Sequence, residues 1–112
     1  MSDWRVQEAT NQTIFREMNE WTEADRDGRE GRGRLGLDSY LCECGDANCS
    51  EPILLTRSEY ESIRSVPIRF AIAMDHENPE IDLLVREHGR YAVVDNVFGE
   101  TSGVARSTNP RR

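Results

Sequence analysis

The sequence has no lysine, only two histidines and three cysteines, and no long apolar run. No apolar stretch approaches the roughly 20 residues of a membrane-spanning helix, and the N-terminal residues lack the apolar segment of a secretion signal. We therefore expect a cytoplasmic protein without a membrane partner. In that reducing compartment, closely spaced thiols more often bind metal or do redox chemistry than form structural disulfides.

Negative charge outweighs positive charge in this chain. Its 112 residues carry 14 arginines against 21 acidic residues, which gives a net charge of -7. Nucleic acids and anionic membranes repel such a chain at long range, so we expect another protein as its partner. The locally basic segment 26–36 could bind RNA or an acidic partner, but it lacks aromatic residues that stack on bases. We interpret it as a linker.

Length and composition predict one small α+β protein with a single core. We divide the chain into an N-terminal helix segment (1–26), a Gly/Arg-rich linker (27–36), a zinc-binding α+β domain (37–98) and a flexible tail (99–112). In the first segment, Ile14, Met18 and Trp21 recur at helical spacing. This pattern predicts a helix over 4–25 that docks on the following domain through its apolar stripe.

The zinc-binding domain is predicted to contain a hairpin, two short helices and further strands. Residues 37–44 and 52–55 are expected to form a hairpin around the cysteines. Thr56 and Glu59 have capping-box spacing, which predicts a helix over 57–65 with Tyr60 and Ile63 facing inward. Further strands are predicted over 69–74 and 91–98.

Residues 79–88 are ambiguous by pattern. Asn78 can cap a helix, Pro79 suits its first position, and apolar residues then recur at helical spacing up to Gly89. We predict a helix over 79–88, and a strand over IDLLV is the alternative because short apolar runs suit both structures.

The segment CECGDANC, residues 42–49, contains all three cysteines of the chain. Residues i and i+2 of an extended strand point to the same side, so Cys42 and Cys44 can direct both sulfurs to one point. Gly45 can adopt a positive φ, and the turn-forming residues after it can return Cys49 to that point. The segment is too polar for a core, and Glu43 and Asp46 predict that it is exposed to solvent.

Metal binding is the preferred use of these thiols. A disulfide between Cys42 and Cys44 is the alternative, but two extended steps separate their Cα atoms by about 6.6 Å, near the limit for a bridge. Three thiolates repel one another unless a cation lies among them, and Zn²⁺ is the usual ion. His76, in a polar break, is the favoured fourth ligand; His88, Asp46 and water are the alternatives.

Three sequence segments, LCECGDANC, LTRSEYESIR and DHENPE, are similar to segments of known proteins. Over roughly residues 11–98 the chain resembles a group of small bacterial proteins of unassigned activity with a Cys-x-Cys, Cys and Gly-His-Glu-x-Pro pattern. The resemblance implies that Cys42, Cys44, Cys49 and His76 form one zinc site. Asp75 stands where the pattern usually has glycine.

Three functions are compatible with such a site. The first is a non-catalytic, zinc-stabilised module for protein interaction or regulation, because four ligands leave no position for a substrate. The second is a redox switch in which thiol oxidation releases the metal. The third is a hydrolytic zinc enzyme with Glu77 or Glu80 as general base, but the sequence has no recognised hydrolase motif.

Overall fold

The computed structural model describes residues 4–27, 36–97 and 99–110. Their elements, in chain order, are α1 (Trp4–Asp27), β1 (Leu37–Leu41), β2 (Pro52–Thr56), α2 (Arg57–Arg64), β3 (Arg69–Ile72), β4 (Asp82–Glu87), β5 (Ala92–Asn96) and α3 (Gly99–Ser107). The predicted α+β fold is confirmed. Residues 28–35 of the predicted linker lie outside the described residues.

Strands β1 and β2 form the predicted antiparallel hairpin, in which Tyr40 lies opposite Ile53. Helix α2 follows directly and begins with the predicted capping box. The Thr56 side chain accepts a hydrogen bond from the Glu59 backbone N–H, and the Glu59 carboxylate accepts one from the Thr56 backbone N–H. Both donors would otherwise lack a partner at the helix N-terminus. Tyr60 and Ile63 face inward as expected.

Strands β3, β5 and β4 form an antiparallel sheet in that order, so β4 lies at an edge. The predicted helix over 79–88 is therefore wrong, and the alternative strand is confirmed. The Asn78 side chain does cap a turn by accepting from the Glu80 backbone N–H. That turn is not continued, because residues 82–87 instead pair with β5, with an irregularity between Leu84 and Arg86.

Helix α1 docks through the opposite face from the predicted one. Its apolar stripe of Ile14, Met18 and Trp21 is exposed to solvent, at 48%, 46% and 70%. The buried face is mostly polar and consists of Ala9, Gln12, Thr13, Arg16, Asn19 and Glu23. The prediction is wrong because apolar spacing identifies one face of a helix but does not show that this face points inward. Here hydrogen bonds satisfy most of the buried polar groups, although the Nε atom of Arg16 has no hydrogen-bond partner among the described residues, and they make the inverted orientation possible.

Arg16 shows how this polar interface is held. Its guanidinium donates to the Pro67 carbonyl oxygen at 2.7 Å and to the Ala105 carbonyl oxygen at 2.9 Å. The guanidinium carbon lies 4.8 Å from the centre of the Phe70 ring. Burial, followed by the nearby charge of Arg64, lowers the pKa of Arg16 to about 10. The side chain therefore remains charged at neutral pH.

The C-terminal residues up to Pro110 are folded, so the predicted flexible tail is wrong for that part of the chain. Helix α3 packs against α1, and its Thr101 and Ala105 are fully buried. The segment has too few apolar residues to show a core-facing pattern. Its attachment combines the buried Ala105 with polar contacts, such as the hydrogen bond from Thr101 to the Asn96 side chain.

Candidate metal centre

The structure brings the four predicted ligands together. The sulfurs of Cys42, Cys44 and Cys49 and a ring nitrogen of His76 all lie within 4.8 Å of one another. The His76 Nδ1 atom is 3.5 Å from the Cys42 sulfur and 3.7 Å from the Cys49 sulfur. Tetrahedral bonds of about 2.3 Å to sulfur and about 2.0 Å to nitrogen would separate neighbouring ligand atoms by roughly 3.6 Å. The site therefore fits a metal ion.

The loop between β1 and β2 positions the cysteines. The Cys42 N–H donates to the Glu51 carbonyl oxygen at 3.2 Å, which extends the hairpin by one step. Gly45 has the expected positive φ, at 87°. A turn around Asp46 follows, in which the Asp46 carbonyl oxygen accepts from the Cys49 N–H at 3.0 Å. These contacts return Cys49 to the other two sulfurs.

His76 comes from the loop between β3 and β4. Its backbone N–H donates to the Ala73 carbonyl oxygen at 3.2 Å, closing a turn that contains Asp75. Asp75 has a φ of 67°, in the left-handed region that favours glycine. Asp75, at the position where the resembled pattern usually has glycine, is thus in a conformation that glycine adopts without strain.

Each sulfur also accepts a backbone hydrogen bond. The Ala73 N–H lies 3.1 Å from the Cys42 sulfur. Backbone hydrogen bonds from Asp46 and Glu51 favour the thiolate forms of Cys44 and Cys49. Backbone donors around thiolates stabilise negative charge at a metal site and orient its ligands.

The thiols influence one another's protonation. The hydrogen bond between Cys42 and Cys44 is the largest cause of both of their shifts, raising the pKa of Cys42 and lowering that of Cys44 to about 5. Burial is the largest cause of the raised pKa of Cys49. Metal binding would then displace the protons that remain on Cys42 and Cys49.

Glu43 is the residue beside the cluster whose surroundings the sequence interpretation mispredicted. It was expected in a solvated loop, but its exposure is 0%, and Cys42, Cys44 and Gly45 are buried as well. Only the turn from Asp46 to Asn48 is exposed as predicted. Period-two alternation could have indicated this arrangement, because a residue between two metal-facing cysteines of an extended segment points the other way.

An open cleft of about 240 Å³ adjoins the cluster, lined by Glu8, Cys44, Asp46, His76 and Asn78. Asn78 donates to the Glu8 carboxylate at 2.8 Å, and this hydrogen bond connects α1 to the loop that carries His76. Neither Glu77 nor Glu80, the suggested general bases, is among these lining residues. Glu80 instead lies 3.4 Å from the guanidinium of Arg5.

The alternative ligand His88 lies elsewhere. Its Nε2 atom is 3.2 Å from the Glu59 carboxylate, and its ring stacks on Tyr91 at 4.5 Å between centroids. Asp46 accepts the Asn48 backbone N–H through its side chain at 2.9 Å. Among the described residues, His76 is therefore the histidine that the fold brings to the cysteines.

No protein family, curated protein or solved structure matches the chain. The resemblance in sequence pattern therefore stays a prediction. No helix within the described ranges is long and apolar enough to cross a membrane.

Proposed function

We propose that the metal is zinc and that the protein is a zinc-stabilised, non-catalytic module of the cytoplasm that acts by binding another protein. The observation that carries this proposal is the complete set of three sulfurs and one imidazole within 4.8 Å. Thiolate-rich tetrahedral sites favour zinc, and four protein ligands leave it no open position. Clustered thiols bind metal more often than they form disulfides in a reducing compartment, which supports the cytoplasm as the location.

The proposed zinc has a structural role because it joins parts of the chain that are distant in sequence. Cys42, Cys44 and Cys49 lie beside the β1–β2 hairpin, whereas His76 follows β3. One ion would therefore hold the hairpin against the second sheet. Structural zinc sites in small proteins can contribute on the order of 10 kcal/mol to folding.

Metal analysis of the reduced, purified protein tests this role, and we expect one zinc per chain. Removal of zinc by a chelator should lower the melting temperature by more than about 10 °C, because each kcal/mol shifts a domain of this size by several degrees. The Cys44→Ser variant should behave like the metal-free protein, and Ser50→Ala is a matched control outside the cluster. A metal-free protein with an unchanged melting temperature would contradict the proposal.

A protein partner is supported by the exposed face of α1. Ile14, Met18 and Trp21 are spaced as the anchors of a helix that binds in an apolar groove. Trp21 is the most exposed of the three, and tryptophan is enriched among the residues that dominate binding energies. Glu17, exposed beside them, suits a groove with a basic rim.

Photocrosslinking from position 18 in cells of the source organism tests this surface. We expect one discrete adduct, lost on Trp21→Ser and absent when the crosslinker is at Ser62, an exposed residue of α2. Trp21→Ser should leave the melting temperature nearly unchanged, because the side chain contributes little to the core. Equal adducts from both positions would contradict a specific surface.

A redox switch is the second candidate, favoured by the cleft that reaches Cys44 and by the partial exposure of Cys49. One hydrogen peroxide would oxidise two thiolates to a disulfide, take up two protons and leave as two waters, and the weakened site would release Zn²⁺. A chromogenic chelator can follow zinc release during mild peroxide treatment. Retention of all zinc would exclude this function.

A further inference from the structure

We infer that Glu43 is the positioning residue of the metal centre and couples metal binding to the docking of α1. The inference rests on the proposed metal-binding function and adds its regulation. It follows from the alternation of side chains along residues 41–45. Cys42 and Cys44 face the metal, and the residues between and beside them contact α1.

The carboxylate of Glu43 joins three elements. One oxygen accepts the side-chain N–H of Asn19 at 2.8 Å and the hydroxyl of Tyr60 at 2.7 Å, from α1 and α2. The other accepts the backbone N–H of Ala71 in β3 at 3.0 Å, and the Glu43 N–H donates to the Ala71 carbonyl oxygen at 2.9 Å. These contacts fix the backbone between two metal ligands.

Helix α1 also holds the residues on either side of Glu43. The Asn19 side chain accepts the Leu41 N–H at 2.8 Å and donates to the Leu41 carbonyl oxygen at 3.0 Å. Asn11 donates to the Gly45 carbonyl oxygen at 2.9 Å. One side of the segment therefore binds α1 while the other presents two sulfurs.

Coupling between these two sides is reciprocal by thermodynamic necessity. If contacts with α1 raise the metal affinity by some factor, then the metal favours the docked state of α1 by the same factor. The contacts of α1 here are directional hydrogen bonds, whose strength depends on the local backbone geometry. Loss of the metal would alter that geometry and weaken the hold on α1.

The first test measures Co²⁺ and Zn²⁺ affinities of the full chain by competition with a chelator. Glu43→Gln places an amide N–H₂ opposite donors, so we expect about a 10- to 100-fold loss of affinity, the usual effect of residues that support metal ligands. Glu59→Gln is the matched control, since Glu59 is a partly buried carboxylate of α2 that bonds to Arg90 and Tyr91, away from both the cluster and α1. It should leave metal affinity unchanged even if it lowers stability.

Two further measurements separate positioning from a general loss of stability. The visible spectrum of the Co²⁺ form should change in Glu43→Gln and remain as in the wild type in Glu59→Gln. In the unmodified protein, Zn²⁺ should slow hydrogen exchange of the α1 amides around Asn11 and Asn19, which requires no variant to fold. Asn11→Ala, which removes one contact, should weaken metal binding by a few-fold.

The outcomes distinguish the two proposals. A wild-type chain that binds neither ion overturns both the metal function and the coupling. Normal binding by the wild type, with affinity within twofold in a folded Glu43→Gln variant, overturns the coupling alone. The same holds if Zn²⁺ leaves hydrogen exchange in α1 unchanged.

Discussion

The imidazole of His76 lies between the cysteine sulfurs and the carboxylate of Glu51. Its Nδ1 atom faces the sulfurs, and its Nε2 atom is 3.3 Å from a Glu51 oxygen. A carboxylate on the far nitrogen of a metal-binding histidine fixes the tautomer and orientation of the ring. Because Glu51 is half exposed, we expect its effect to be modest.

The two histidines offer a matched test of ligand assignment. His76→Ala should lower zinc affinity by more than about 100-fold, since loss of a ligand exceeds the usual effect of a supporting residue. His88→Ala should leave the affinity unchanged, because its ring contacts Glu59 and Tyr91 instead. Chelator competition on both variants measures this, and equal affinities would refute His76 as the fourth ligand. Glu51→Gln should cost less than about tenfold.

Alanine substitutions at Gly45 and Gly89 allow the cost of a tight contact to be distinguished from the cost of backbone strain. Both have positive φ, at 87° and 95°, so alanine at either position should cost roughly 1–2 kcal/mol. At Gly45 the added Cβ would also lie 2.8 Å from the Glu8 carbonyl oxygen of α1, whereas nothing lies within 4 Å at Gly89. Urea unfolding of the zinc form should therefore show the larger loss for Gly45→Ala. Equal losses in the free energy of unfolding would mean that the close contact with α1 adds no cost beyond backbone strain.

Asp75 tests the backbone of the His76 loop. Asp75→Gly should retain zinc and stability, because glycine adopts a φ of 67° without strain. Asp75→Val should cost at least about 1–2 kcal/mol, since a β-branched residue is strongly disfavoured in that region. Thermal unfolding with zinc in excess measures both changes. A valine variant as stable as the glycine variant would show that the loop adopts another conformation.

Asp82 predicts a specific pH dependence. Burial is the main cause that raises its pKa to about 6, against opposing hydrogen bonds from Asn78 and Gln12. The folded state therefore holds the proton more tightly than the unfolded state, whose value is near 3.8. As pH rises from about 4 to 7, this group lowers the stability of the wild type, by on the order of 2–3 kcal/mol.

Asp82→Asn removes that titration. The variant should gain stability relative to the wild type as pH rises through this window, when both are unfolded in urea at each pH. Comparing the two proteins cancels the pH dependence of the metal site that they share. A stability difference that stays constant from pH 4 to 7 would contradict a raised pKa at Asp82.

Local signals predicted much of this fold. The hairpin, the capping box at Thr56 and the positive φ of Gly45 depend on neighbouring residues, and all three are confirmed. The cysteine cluster was predicted for the same reason, because the i, i+2 geometry of Cys42 and Cys44 is a property of the local chain. The approach of His76 needed the additional argument that a metal completes its ligand set.

The errors arose where partners distant in sequence decide the structure. Residues 82–87 form a strand because β5 supplies hydrogen bonds that a short local pattern does not reveal. Glu43 is buried because Asn19, Tyr60 and Ala71 provide donors from three other elements. Composition alone places such a carboxylate at the surface. The apolar stripe of α1 is exposed although composition alone would bury it. Its spacing identifies one face of the helix but does not show which face the rest of the protein covers.

The polar inner face of α1 restricts how the helix can sit on the protein. An apolar interface tolerates small rotations of a helix, because one methyl group can replace another at little cost in free energy. Arg16 and Asn19 instead need particular carbonyl groups and a particular carboxylate, so turning the helix by one residue would leave several buried donors without acceptors. Helix α1 is accordingly expected to be either seated in one orientation or detached, with few intermediate arrangements.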